Sequence, residues 1–193
     1  IAVEKTEPLT QVAGLNEMGI KEIIGIGRSN FAGSPVNRRH NIKVGVQSLN
    51  GILIAPNETF SMLKSLGEIN AERGYRPELV IKGNKTTPEF GGGLCQVATT
   101  FFRAMLAAGL PVLERQSHSY RVSYYEPPVG IDATIYSPTI DLKIKNNTAN
   151  YLLIQTQIDQ QNSSLIIQLY GNQDGRIVTL SKTRIGNEIK PPD

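Results

Sequence analysis

Apolar positions along the chain change their period near the middle. Between Asn37 and Asn50, Ile42, Val46 and Leu49 recur at helical spacing, with Val44 off the stripe and Gly45 tolerated within it. Asn37 suits an N-cap and Asn50-Gly51 a stop, so the pattern predicts a helix over residues 38–50. Ile52-Leu53-Ile54 predicts a short strand ended by Pro56. A second short helix is expected from about Ser61, broken at Gly67 or Gly74. Leu79-Val80-Ile81 is a β-like run ahead of a polar loop at 82–88. From Cys95 to Ala108, Val97, Phe101, Ala104, Met105 and Ala108 make a buried helical face, which Phe102 and Leu106 widen. Gly109 and Pro111 end that helix.

Beyond Pro111 the signal is strand-like. Strands are expected at 112–115, 120–125, 133–136, 141–145, 151–158, 165–170 and 177–180, with turns at Pro127-Pro128, Asn146-Asn147, Gln161-Asn162 and Gly171-Asn172. Short antiparallel connections suit these spacings better than βαβ crossovers. The expectation is an α+β fold: helices in the N-terminal half, with one buried helix starting at the cysteine, packed on a mainly antiparallel sheet from the C-terminal half. Residues 1–36 are rich in Gly and Pro and contain one short strand at 21–26. They read as a loosely packed leading segment or linker, followed by a main domain at 37–171 and a C-terminal extension at 172–193 with a last strand and tail.

The bulk figures narrow the chemistry. At 193 residues and 39% hydrophobic, the chain is long enough for one core. Its net charge of +3 is scattered, with no basic run longer than Arg38-Arg39, so a nucleic-acid footprint is not expected. A single cysteine excludes an intrachain disulfide and zinc sites built from several thiolates. No His or Cys spacing calls for a metal, and no cofactor motif is present. No stretch reads as a signal peptide or transmembrane helix, and a chain opening on Ile1 is expected to be an excised or processed piece.

That one cysteine sits in Glu89-Phe90-Gly91-Gly92-Gly93-Leu94-Cys95-Gln96, a glycine run leading into the strongest predicted helix. By itself it fits a buried structural thiol as well as a nucleophile. A nucleophile needs a base, and the chain offers His40, on a helix surface, and His118, just ahead of a predicted strand. A helix-borne cysteine facing a strand-borne histidine is the arrangement of papain-like hydrolases. Asp132 is the best-placed acid to orient His118, with Glu89, Glu114, Glu126 or a backbone carbonyl as alternatives. The glycines would let substrate backbone approach the thiol and expose amides at the helix start to an oxyanion. Arg115 and Arg121 flank His118, and arginine suits a substrate carboxylate. Gly92, Gly93, Gln96, Arg115, Ser119 and Tyr124 are the residues expected to meet the substrate.

These pieces carry a family resemblance. Arg39-His40-Asn41-Ile42, Pro56-Asn57-Glu58-Thr59-Phe60-Ser61, the run Gly91 to Thr100, Glu114-Arg115-Gln116-Ser117-His118-Ser119, Gly130-Ile131-Asp132-Ala133-Thr134 and Asp141 to Thr148 resemble the VanW-like domain of bacterial cell-envelope proteins, over roughly residues 20 to 171. Asn57 stands where the family usually has Gly, and Met62-Leu63 where it usually has Phe-Asn. The resemblance implies extracytoplasmic work in the cell envelope, compatible with a membrane-anchored parent protein, on peptidoglycan stem peptides. It further implies L,D-transpeptidase chemistry, in which Cys95 forms a thioacyl intermediate and His118 moves the proton. A non-catalytic wall-binding or scaffolding domain is the alternative, and a metal-assisted hydrolase a distant third.

Overall fold

The computed structural model describes residues 12–82, 85–184 and 186. The elements run α1 (Val12–Glu17), β1 (Glu22–Asn30), α2 (Val36–Leu49), β2 (Leu53–Ile54), β3 (Thr59–Ser61) and α3 (Met62–Leu66). They continue with β4 (Pro77–Lys82), β5 (Lys85–Phe90), α4 (Leu94–Ala107), β6 (Val112–Glu114), β7 (Lys143–Lys145), β8 (Leu152–Asp159) and β9 (Ser164–Gly171). Strand pairing is antiparallel throughout, in a four-stranded sheet ordered β1-β9-β8-β2, a three-stranded sheet β3-β7-β6 and a two-stranded ribbon β4-β5. The fold is α+β, as the hydrophobic pattern predicts.

α4 is the centre of the core. Its apolar surface goes almost all round, and Val97, Ala98, Phe101, Ala104 and Met105 are fully enclosed. On one side it lies directly on β1. That strand turns Gly25, Gly27 and Ser29 inward, a face with almost no side-chain bulk. A Cβ on Gly27 would stand 1.8 Å from the Thr100 carbonyl oxygen, and one on Gly25 2.2 Å from that of Ala104. Side chains at those positions would force the helix off the sheet. This explains a departure from the sequence pattern: the two glycines look like turn formers, yet they occupy a strand that runs to Asn30 and pairs with β9. Residues 22–30 are part of the main sheet rather than a loosely packed lead-in. On the opposite side, Phe101 meets Phe60 of β3 with ring centroids 4.8 Å apart. α2 crosses α4 where Gly45 faces Leu94; a Cβ there would lie 2.5 Å from Leu94 Cδ2, so Gly45 is a contact point rather than a tolerated defect.

Three buried polar side chains stitch neighbouring segments into this frame. Asn41 on α2 donates to the Arg76 and Gly92 carbonyls at 2.9 and 3.1 Å and accepts from the Arg76 amide at 2.8 Å. Asn146 donates to the carbonyls of Ile54, Ala55 and Asn150 at 3.0, 3.1 and 2.8 Å. Asp141 accepts from Ser61 Oγ at 2.5 Å and the Leu63 amide at 2.9 Å, bracing the start of α3, which Ser61 caps through the Lys64 amide.

Other differences are local. Of the polar stretch 82–88, Lys82 and residues 85–88 belong to the β4–β5 ribbon rather than to a loop, and residues 83 and 84 lie outside the described residues. Residues 120–125 contain a single 3-10 turn at Ser123–Tyr125, because no strand lies beside them and Tyr125 turns inward. Residues 133–136 make only isolated bridges, Gln116 with Thr134 and Tyr136 with Ile140. The stretch 177–180 is not a strand; Ile177 is 93% exposed and has no sheet to cover it.

Candidate active site

The geometry around Cys95 starts from the glycine turn. Gly93 takes φ 112° immediately before the helix, a left-handed conformation that suits a residue without a Cβ. A Cβ there would also crowd Arg38 and Ile42 of α2, at 3.0 to 3.1 Å. The chain therefore enters α4 tightly, and Cys95 falls in its first turn. The amides of Leu94 and Gln96 are spent on the Gly91 and Gly93 carbonyls, both at 3.0 Å. Among the described residues the Cys95 amide has no acceptor. An amide left open beside a nucleophile is the donor an oxyanion needs.

The partners of the thiol are set by the same helix. Cys95, Thr99 and Arg103 are four residues apart and share one face of α4. Thr99 Oγ1 donates to the Ala133 carbonyl at 3.1 Å and accepts the Ala133 amide at 3.0 Å. Arg103 Nε donates to the Ile131 carbonyl at 3.1 Å, and its Nη2 donates to the Tyr125 carbonyl. Residues 131–135 are thereby strapped along the helix, which fixes Asp132 and Thr134 relative to Cys95.

His118 lies in the loop after β6 rather than on a strand. Its Nδ1 is 2.5 Å from Asp132 Oδ2, and its backbone amide donates to the same oxygen at 3.1 Å. With Nδ1 committed to the carboxylate, Nε2 is the ring nitrogen left to act on Cys95, and the two groups shift each other's pKa. The imidazole is only 5% exposed and packs against the Tyr125 ring at 5.6 Å. Thr134 Oγ1 at 3.4 Å and the Ile135 carbonyl at 3.5 Å complete the shell of the sulfur.

The electrostatics follow from this chain of contacts. Burial pushes the thiol up, but the hydrogen bond and charge of His118, with Thr134 and the Ile135 carbonyl contributing, bring Cys95 below its ordinary value. Burial, the largest single effect, pulls His118 down, but Asp132 and Cys95 together outweigh it and push the imidazole up to about 9. Burial raises Asp132, while His118 and then Arg115 hold it below the usual carboxylate range. All three directions favour a thiolate–imidazolium pair backed by a carboxylate, and such a thiolate is the reactive form of cysteine.

The thiol opens on a cleft of about 450 Å³. Its walls are the β4–β5 ribbon, through Leu79, Val80 and Pro88, and the segment 135–137. Arg38, Glu89 and Tyr124 are among its polar lining residues.

The residues expected to meet substrate divide accordingly. Gly93 and Tyr124 line the cleft. Gly92 is buried beneath it, its carbonyl held by Asn41. Gln96 is fully enclosed, donating to Ser29 Oγ at 3.0 Å and the Asn30 carbonyl at 2.9 Å, so it ties the helix start to β1 rather than facing the cleft. Arg115 is spent on the His118 side: Nε donates to the Asp132 carbonyl at 2.7 Å, and Nη2 donates to the Gly130 carbonyl and Asp132 Oδ1, both at 3.1 Å. Ser119 is exposed and borders a neighbouring cavity of about 440 Å³. Sequence reasoning passed over Arg38, Asn41, Thr99 and Thr134. Only the quoted Arg-His-Asn-Ile motif, the run Gly91 to Thr100 and the Gly-Ile-Asp-Ala-Thr motif, which contain or adjoin them, carry a signal. His40 bonds the Gly74 carbonyl at 2.8 Å, away from the thiol.

Fold and site together define an α+β domain with Cys95, His118 and Asp132 grouped beside a cleft. The chain belongs to the VanW-like family: the family model described as "VanW like protein" matches residues 37–170. It is 32% identical over 163 residues to the "Uncharacterized protein YoaR" of Bacillus subtilis, covering 82% of this chain and 52% of that protein. It is 33% identical over 129 residues to the "Vancomycin B-type resistance protein VanW" of Enterococcus faecalis, covering 65% of this chain and 46% of that one. The chain thus spans about half the length of these relatives. No solved structure matches significantly. Among the described residues, no helix is long and apolar enough to cross a membrane, and no group of three or more His, Cys, Asp or Glu is disposed to hold a metal ion.

Proposed function

We propose that this chain is a cysteine acyltransferase acting on peptidoglycan stem peptides in the manner of an L,D-transpeptidase, outside the cytoplasm in the cell envelope. The observation that carries the reading is the Cys95–His118–Asp132 relay opening on a cleft. Family membership supports the setting, since one relative is named for vancomycin resistance.

The Cys95 thiolate attacks the carbonyl of the L-centred residue that precedes the terminal D-residue. The carbonyl electrons move onto oxygen, where the open Cys95 amide donates to them. As the oxyanion collapses, the C–N bond breaks, and the imidazolium of His118 gives its Nε2 proton to the departing amine. The D-residue leaves and a thioester remains. An amine from a second stem then attacks the thioester, loses its proton to His118, and expels the thiolate. Asp132 holds the imidazole ring and its charge throughout.

The test is incubation of the protein with disaccharide-tetrapeptide, followed by mass spectrometry. An adduct on Cys95 with loss of the terminal residue, absent in Cys95→Ala, is the expected result. No adduct, and turnover unchanged by Cys95→Ala, would remove the enzyme and leave a wall-binding role.

A further inference from the structure

The cleft holds a cation that the relay does not use. Arg38 lies early in α2 and lines the same cleft as Cys95. Its Cγ and carbonyl pack against Gly93, two residues before the nucleophile. The guanidinium carbon stands 5.2 Å from the Tyr124 ring centroid, and Nη1 donates to Ser34 Oγ at 2.7 Å. Neither neighbour is an anion. Among the described residues no carboxylate pairs with Arg38, whereas Arg115, Arg121 and Arg176 each have one. Stacking occupies the face of the guanidinium and Ser34 one of its N–H groups. The remaining N–H groups stay available for the bidentate grip that arginine makes on a carboxylate. Glu89, the acidic residue in the lining, accepts from Tyr136 at 3.1 Å.

We propose that Arg38 binds the free carboxylate of the substrate's C-terminal residue, so that the site acts at the last peptide bond of the stem. This rests on the thioacyl reading above for the identity of the substrate. In that reading the leaving residue carries its carboxylate one residue beyond the scissile carbonyl, a span of about 3.8 Å between Cα atoms. Arg38 and Cys95 line one cleft, so an anchor and the nucleophile would meet the same short peptide. Arg115, which the sequence suggests for such a role, is already held by Asp132 and two loop carbonyls. An amidated or extended stem would lose the anchor, which makes the enzyme selective for stems already trimmed to a free terminus. The class of reaction upstream is then a carboxypeptidase that exposes this carboxylate.

The experiment uses the Cys95→Ala protein, which binds without turning over. Calorimetry compares a stem tetrapeptide with a free C-terminal carboxylate against the same peptide as its C-terminal amide. The free acid is expected to bind roughly ten- to hundredfold tighter, as a hydrogen-bonded charge pair gives. Adding Arg38→Gln, which keeps the Cγ packed on Gly93, should bring the ratio close to one with the amide's Kd unchanged, and Arg38→Lys should restore part of it. Equal binding of acid and amide, a ratio that survives Arg38→Gln, or no binding of either peptide would overturn the proposal. The Cys95 adduct is read separately on the otherwise unaltered protein. An adduct with no acid preference sinks the anchor and spares the thioacyl reading; an acid preference that follows Arg38 without any adduct does the reverse.

Discussion

Replacing Asp132 by Asn removes one negative charge and almost no volume. The carboxylate holds His118 through a 2.5 Å contact to Nδ1 and a 3.1 Å bond from the His118 amide. The rise of His118 from 6.5 to about 9 corresponds to roughly 3 kcal/mol of net preference for the charged ring. That net value already includes the opposing pull of burial; the loss of Asp132 itself is the loss of a hydrogen bond to a charged group, roughly 2 kcal/mol, about thirtyfold in the population of the charged pair. An Asn amide facing Nδ1 also favours the tautomer protonated on Nε2, which blocks that nitrogen as a base. The assay is alkylation of Cys95 by iodoacetamide at pH 7, which needs no substrate. The rate should fall about thirtyfold, and the midpoint of its pH profile should rise. Arg115 keeps its bonds to the Gly130 and Asp132 carbonyls, so the fold should persist, checked by circular dichroism. A profile that superposes on that of the unaltered protein would refute Asp132 as the group that charges the imidazole.

Three further outcomes are expected. Gly27→Ala places a methyl group 1.8 Å from the Thr100 carbonyl and should lower stability by about 3 kcal/mol or more, read as a drop in Tm or in soluble yield. Asn41→Ala strips partners from the Arg76 amide and carbonyl and the Gly92 carbonyl, so thermal melts should show a loss of about 2–4 kcal/mol, with slower alkylation of Cys95 as the glycine turn loosens. The His118–Asp132 contact also has a pH signature. His118 is raised on folding, so its contribution is full below about 6.5 and fades as pH climbs through about 9; Asp132 is lowered, so its contribution is present above about 3.8 and fades as pH drops through its folded value. The Tm gap between the unaltered protein and Asp132→Asn should therefore be widest near pH 5 and narrow on both sides; a gap independent of pH would argue against the pair.

Helix α4 was legible because its buried face is long and regular, and the cysteine at its start stands out beside three glycines. The His118–Asp132 pair was legible only as residue types at a suggestive spacing, since the distance between them depends on a loop. β1 is legible only as a short strand at 21–26, not as a full strand of the main sheet, because its inward face is small: Gly25 and Gly27 signal a turn locally, and only a helix lying on the strand explains them. The aromatic alternation at Tyr120–Tyr125 suggested a strand that has no partner. Arg115 was the natural choice for a carboxylate anchor by proximity to His118, but the chain doubles back at Asp132 and claims it. Asn41, Asp141 and Asn146 sit in the quoted motifs for reasons of loop geometry, so a motif full of polar residues was partly architecture.

Among the described residues the β4–β5 ribbon pairs only with itself and supplies one wall of the cleft, whereas Cys95 stands on α4. On the proposed reading these two parts are separable: changes along the ribbon would alter which peptide is accepted while the thiol keeps its charge state, so that one floor would serve differently composed walls.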